Sequence, residues 1–161
     1  MRGVTMEKID WKNLSYDDFT GFVAVTAFLL FVLYFGGLWY TTYDYRIQMR
    51  DQMVGMYQQL PNPIPPIEDD YGVHQRWLVF YIDGIKILNK PQPENVINEY
   101  KKALEKEGWA TEREYIRNDK NKTYGINMRK GEFVLSVSAQ ENRDSINIHL
   151  IKRDWIYNKG F

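Results

Sequence analysis

The sequence predicts an α+β protein with one apolar N-terminal helix, a helical stalk, and a small two-layer domain of an antiparallel sheet covered by one helix. Three observations predict it. Residues 21–40 carry no charge, four prolines lie between positions 61 and 66, and apolar residues beyond them alternate with period two. The predicted segments are a tail (1–20), a transmembrane helix (21–40), a stalk with a Pro-rich linker (41–66) and a domain (67–161).

The composition narrows the class of protein. The 161 residues include 21 Lys and Arg and 21 Asp and Glu, so the formal net charge is zero. A nucleic-acid-binding protein concentrates basic side chains against phosphates, so this balance argues against nucleic acid as a partner. There is no cysteine, and neither of the two histidines lies in a metal-ligand spacing. We therefore expect no metal and no cofactor.

Residues 21–40 form the most informative stretch. As a helix they would be about 30 Å long, which matches the hydrocarbon core of a bilayer. The run is longer than a signal-peptide core and ends without a small-x-small cleavage pattern, which predicts an uncleaved anchor. Trp39, Tyr40 and Tyr43 are expected at the membrane interface. A buried helix of a soluble protein is the alternative, but so small a domain could hardly surround a helix that is apolar on every side.

The basic residues that flank the apolar run give its expected orientation. Arg2, Lys8 and Lys12 precede the run, and Arg46 and Arg50 follow it. Basic residues favour the cytoplasmic side, so this small excess predicts an inside N-terminus and an extracytoplasmic domain.

The stalk carries one apolar stripe, because four side chains follow a 4-3-4 spacing that places them on one side of a helix. These residues are Met49, Met53, Met56 and Leu60. The stripe could pack on the chain's own domain, lie along a partner's helix, or form a short homo-oligomeric stalk. We expect a partner or self-association, because flexible methionines adapt to varied surfaces. The prolines that follow end the helix and favour an extended spacer.

The first part of the domain is predicted to contain one or two strands followed by a helix. Residues 77–82 are β-branched and aromatic, which predicts a strand. Asp-Gly at 83–84 is a hairpin signal, so residues 85–88 are expected to pair back as a second strand, or the chain turns there without pairing. Pro93 suits the first position of a helix, and Gly108 suits the position just past its end. Trp109 is then expected to fold back onto the core.

Further strands are predicted at 114–117, 124–128, 133–139 and 146–150, where apolar and polar residues alternate. Such alternation is typical of antiparallel strands with one buried and one wet face.

A Ser/His pair on the wet face would suggest a hydrolase, but the sequence shows no acid to orient the histidine and no oxyanion hole, so a solvated face is favoured. The possible binding face comprises Asn127, Ser136, Ser138 and His149.

These features favour a non-catalytic accessory or scaffolding subunit. It would be held in a bilayer by one helix and would contact other membrane or envelope proteins, or itself, through its stalk and domain. A membrane-tethered module that binds a small ligand, a peptide or a glycan is the alternative, and an enzyme comes third. The aromatic residues Trp155, Tyr157 and Phe161 either close the core or add to a contact surface.

Overall fold

The computed structural model describes residues 16–89, 91–118 and 121–153. These residues form three helices and six strands: α1 (Tyr16–Thr41), α2 (Tyr43–Gln58), β1 (Glu68–Arg76), β2 (Val79–Ile87), α3 (Pro93–Lys106), β3 (Ala110–Asn118), β4 (Lys122–Lys130), β5 (Phe133–Gln140) and β6 (Ser145–Lys152). The strands make one antiparallel sheet in the order β1-β2-β6-β5-β4-β3. The predicted α+β class and the antiparallel sheet are therefore confirmed. Most of the predicted tail and the three C-terminal aromatic residues lie outside the described ranges.

The chain divides into two compact units, one ending at Asp44 and one beginning at Tyr45. The first contains α1, whose segment Phe19–Thr41 has a mean hydropathy of 2.2 and is not buried. By length and composition this helix could cross a bilayer, and a signal sequence near an N-terminus would have the same character. Trp39, Tyr40 and Tyr43, which were expected at a membrane interface, all have exposed side chains.

Alternate strand residues point into one hydrophobic core and define what we call the buried face of the sheet. Side chains of α2 and α3 belong to the same core. Removing a large apolar side chain from water contributes about 1.5–3 kcal/mol, so this layer supplies most of the stability of the unit. The fully buried side chains of strand residues on this face are Ile82, Lys86, Ile126, Met128, Leu135, Val137, Ala139, Ile146, Ile148 and Leu150.

The methionine stripe of α2 lies in this core. Met53 is 0% exposed, Met49 and Leu60 are also buried, and Met56 is partly buried against the same core. Three of the four side chains that we expected to meet a partner or a second copy are therefore buried within their own chain. The physical reason is that an apolar stripe adjoining a half-covered sheet is buried most readily against that sheet. From Tyr45 onward the stalk belongs to the globular unit.

The hairpin predicted at residues 83–84 is wrong. Both residues lie inside β2, where Asp83 pairs with Gly72 and Gly84 pairs with Tyr71 of a strand that the sequence did not reveal. Gly84 is required for another reason: a Cβ there would overlap the Tyr57 ring. The glycine therefore marks a close approach of a side chain to the strand. The turn comes earlier, at Trp77, which adopts a φ of 55°.

The predicted limits of α3 are confirmed. Pro93 opens the helix, and Gly108 follows its end with a φ of 84°, the left-handed conformation that favours glycine. The Trp109 N–H then donates to the Leu104 carbonyl over 3.0 Å. The Trp109 side chain is buried in the core, as predicted.

Candidate functional site on the polar face

The strand residues that alternate with the core residues define the polar face of the sheet. Pairing across the sheet brings one row of these residues together: Arg113 lies opposite Asn127, Asn127 opposite Ser136, Ser136 opposite His149, and His149 opposite Asp83. Neighbouring strands are about 4.8 Å apart, so side chains along the row are within reach of one another. Three of the four residues of the predicted binding face thus share one row. Ser138 lies in the next row, opposite Asn147.

At one end of the row, Asp83 contacts both histidines. Its Oδ1 is 2.6 Å from His149 Nδ1, and its Oδ2 is 3.8 Å from His74 Nε2. The Tyr81 ring lies beside both imidazoles, with its centroid 5.1 Å from that of His74 and 5.6 Å from that of His149. An ionised carboxylate only accepts hydrogen bonds, so this contact is a hydrogen bond for the form of His149 that carries a proton on Nδ1. The contact fixes the orientation of the ring at a site that stays about half exposed.

The order Asp83, His149, Ser136 across three strands has the residue types of a nucleophilic triad. Asp83 supplies the acid that the sequence did not show. Within residues 16–89, 91–118 and 121–153, however, Ser136 makes no hydrogen bond to His149. Strand β5 is paired with β4 on one side and β6 on the other. Its backbone N–H groups therefore donate to the carbonyl groups of those strands and cannot form an oxyanion hole. The arrangement can bind a polar group, but it lacks the contacts that activate a serine.

A recess of about 250 Å³ lies next to this row. Among the described residues, three arginines and one histidine line it, and no carboxylate does. A bound group would therefore meet positive charge and neutral hydrogen-bond donors. The lining residues are Arg113, Tyr115, Arg117, Asn127, Val134, Ser136, His149, Ile151 and Arg153.

On the β3 side of the recess, a tyrosine ring packs directly over a glycine of the neighbouring strand. Tyr115 lies opposite Gly125 of β4, and a Cβ at Gly125 would overlap the Tyr115 ring. The Arg117 guanidinium carbon lies 5.1 Å from the centroid of that ring. Cation–π attraction at this distance holds the guanidinium in place.

The sequence did not reveal the arginines or Asp83 as site residues. A signal was present in β3, because Arg113, Tyr115 and Arg117 are spaced two apart and must share one face of a strand. Asp83 was misread because Asp-Gly suggested a turn. Among the described residues, no group of three His, Asp or Glu side chains is placed to hold a metal ion.

A second cluster of titratable side chains lies at the edge of the core. Lys86 is 2% exposed, its Nζ is 3.0 Å from Asp69 Oδ2, and it also contacts Asn62 Oδ1. Tyr57 donates to Asp69 Oδ1 over 3.0 Å. Burial, followed by the charge of Asp69, raises the pKa of Tyr57 and of Tyr100 above the usual range. The cluster joins α2, the Pro-rich linker and two strands, which gives it a structural role.

Comparison with protein-family models, with curated proteins and with solved structures gives no match. The function is therefore inferred from the geometry of the polar face and the character of α1.

Proposed function

We propose that the protein is a single-pass, membrane-anchored binding module without catalytic activity, and that its polar face holds the ligand. The observation that carries this proposal is the recess of about 250 Å³ lined by arginines on that face. A scaffold that contacts partners through its stalk has less support, because Met49, Met53 and Leu60 are buried in their own chain. In this proposal α2 and α3 form one layer and the sheet forms the other, which leaves the polar face for binding.

The anchoring function rests on α1. Its segment Phe19–Thr41 is apolar and unburied within its unit. Keeping such a helix in water would expose apolar surface at a cost of about 25 cal/mol per Å². A bilayer removes that cost along a helix of this length. Because no cleavage pattern follows the helix, it remains attached and tethers the domain.

We further propose that the N-terminus lies inside and the domain lies outside the cytoplasm, on the basis of the flanking basic residues. The absence of cysteine allows a clean test. Asn147→Cys places a thiol on the exposed polar face, and Thr5→Cys places one in the tail. A membrane-impermeant maleimide should label Asn147→Cys in intact cells and Thr5→Cys only after permeabilisation. The opposite pattern would reverse the orientation.

The binding proposal is tested by covalent footprinting of the full chain, first in its native membrane and then purified in neutral nanodiscs. An occupied polar face should protect Tyr81, Tyr115 and His149 in the native membrane only. Ile116 is an internal control, because its side chain lies on the other face of β3 and is exposed. Equal modification of all four residues in both preparations would reject the proposal.

An accessory subunit is a second candidate, because several large apolar side chains are exposed on the domain, among them Trp77 and Ile85. Trp77 at the β1–β2 turn is 53% exposed, and Ile85 on the polar face is 51% exposed. Apolar side chains of this kind mark protein contacts more often when they cluster. Native mass measurement after mild detergent extraction separates the candidates. A hetero-complex that Trp77→Ser dissociates supports the subunit, and a monomer that retains a ligand supports the binding module.

A further inference from the structure

The recess on the polar face concentrates positive charge in a chain that is neutral overall. Arg113, Arg117 and Arg153 line it, together with the neutral donors Asn127 and Ser136. Arginine presents its N–H groups in a planar fork that stays charged at every physiological pH. Several such groups around one small recess repel each other, and an anion placed between them would relieve that repulsion.

Among the described residues, three glutamates on or next to the same strands pair with cations outside the recess. Glu112 pairs with Arg129, Glu114 with Lys101, and Glu132 with Lys152. Asp83 is engaged by His149. Within the described ranges, neither Arg113 nor Arg117 forms an ion pair. Two of the three guanidinium groups therefore line the recess without a counter-charge from the residues that the structure describes.

One of these two guanidinium groups is also held in position. Gly125 leaves room for the Tyr115 ring, and that ring lies 5.1 Å from the guanidinium carbon of Arg117. A long side chain that is already ordered loses less entropy when it binds a ligand. The recess therefore combines uncompensated charge with a partly preorganised donor.

We propose that this recess binds a phosphate monoester group; this rests on the binding function proposed above and names the class of its ligand. A phosphate monoester carries a charge of about −1.5 to −2 at neutral pH and three acceptor oxygens. The guanidinium forks together with the Asn127 amide and the Ser136 hydroxyl supply more donors than a carboxylate has sites to accept them. The recess is open to solvent, so the remainder of the ligand extends outside it. A soluble phosphorylated molecule and a lipid with a terminal phosphate present the same group.

The test uses the full chain in phosphatidylcholine nanodiscs in a low-chloride buffer, since salt screens exposed charges. Inorganic phosphate and glycerol 3-phosphate are titrated while binding is followed by calorimetry. We expect saturable binding that the double substitution Arg113→Gln/Arg117→Gln weakens about tenfold for each lost charge-assisted bond. The matched control is Arg143→Gln, which removes an exposed arginine outside the recess and should leave binding unchanged.

Two further arms identify the source and the class of the ligand. Vesicles containing phosphatidic acid, a monoester, are compared with vesicles containing phosphatidylglycerol, a diester. Preference for phosphatidic acid over free glycerol 3-phosphate indicates a lipid, and the reverse indicates a soluble ligand. Tighter binding of citrate than of phosphate, no saturation, or equal loss in Arg143→Gln would overturn the inference. In each of those cases, protection of the polar face in native membranes would still support a binding module, so the two proposals fail separately.

Discussion

On the buried face of the sheet Gly84 lies beneath Tyr57, and on the polar face Gly125 lies beneath Tyr115. In both places a Cβ would overlap the ring, so each glycine admits one tyrosine against the strand. Tyr57 is 3% exposed and donates to the partly exposed carboxylate of Asp69, whereas Tyr115 is only partly buried and contacts Arg117 at the rim of a recess. The same glycine–tyrosine contact thus stabilises the fold on the buried face and positions Arg117 of the candidate site on the polar face.

The difference implies that substitutions on the two faces affect different measurements. Changes on the buried face should lower the free energy of unfolding, because they disrupt packing or leave a charge without its partner and away from water. Changes on the polar face should leave that free energy nearly constant and alter binding. Urea unfolding of the full chain in nanodiscs, read by pulse proteolysis, measures the free energy of unfolding.

Lys86→Ala should have the largest effect. The substitution removes the buried cation that pairs with Asp69, a carboxylate that is itself 32% exposed. Removing one partner of a fully buried ion pair costs about 3–5 kcal/mol, so we expect a cost near the low end, about 3 kcal/mol, because Asp69 is partly solvated. Lys86→Met keeps the apolar stem and should cost less. Lys102→Ala is the control, since its side chain is 67% exposed and should change stability by less than about 0.5 kcal/mol. Equal costs for Lys86→Ala and Lys102→Ala would contradict the contribution of the buried Lys86 cation to stability.

Gly84→Ala compared with Gly125→Ala tests the two tyrosine contacts. The added methyl group at Gly84 must displace a buried ring, which costs about 1–3 kcal/mol of unfolding free energy. At Gly125 the partly exposed Tyr115 ring can rotate outward, so we expect a cost below about 1 kcal/mol together with weaker phosphate binding. A larger loss of stability in Gly125→Ala than in Gly84→Ala would reverse the proposed division between the faces.

Tyr57→Phe and Tyr100→Phe should behave differently although both rings are buried. The Tyr57 hydroxyl donates to Asp69, and losing a hydrogen bond to a charged group costs about 1.5–3 kcal/mol. The Tyr100 hydroxyl is buried and has no hydrogen-bond partner among the described residues, so its removal should be neutral or stabilising. A substantial loss in Tyr100→Phe would show that its hydroxyl is bonded.

Alkaline pH should destabilise the globular unit. Burial raises the pKa of Tyr57 and Tyr100 above the unfolded value of about 10, so the unfolded chain loses these protons first. The corresponding stability is fully present below pH 10 and declines as the pH rises beyond it. Tyr100→Phe should reduce the slope of unfolding free energy against pH above 10. An unchanged slope in this variant would remove Tyr100 from the effect.

Asp83→Asn should have the smallest effect on stability. Its contacts with His149 and His74 lie at half-exposed side chains, and such pairs contribute about 0–1 kcal/mol. The expected result is an unfolding midpoint close to that of the unchanged chain, with a change in the histidine ring signals by NMR. A loss above about 2 kcal/mol would mean that the polar face also supports the fold.

The sequence predicted the elements whose patterns are local. The uncharged run of α1, the Pro93 and Gly108 limits of α3 and the alternation in β4, β5 and β6 each identify an element from its own residues. β1 could not be found in this way. It begins with Glu68, Asp69 and Asp70 and is mostly exposed, so it lacks the apolar alternation by which strands are recognised.

The site depends on contacts between distant parts of the chain, which no local pattern shows. Asp83 meets His149 because β6 lies between β2 and β5. Arg113 joins the same row only because β4 and β5 lie side by side in the register observed. The residue types of the predicted binding face were therefore visible in the sequence, but their charged neighbours required the strand order.

The central place of β6 also affects how the domain is made. β6 is the last strand in chain order among the described residues, yet it separates the β1–β2 pair from the β3–β4–β5 group. Until Ser145–Lys152 has been synthesised, β2 and β5 each present an open edge, and such edges invite pairing with other chains. We expect ribosome-bound chains stopped before Ser145 to remain protease-sensitive and prone to aggregate. The domain should become resistant in a single late step once β6 has left the ribosome.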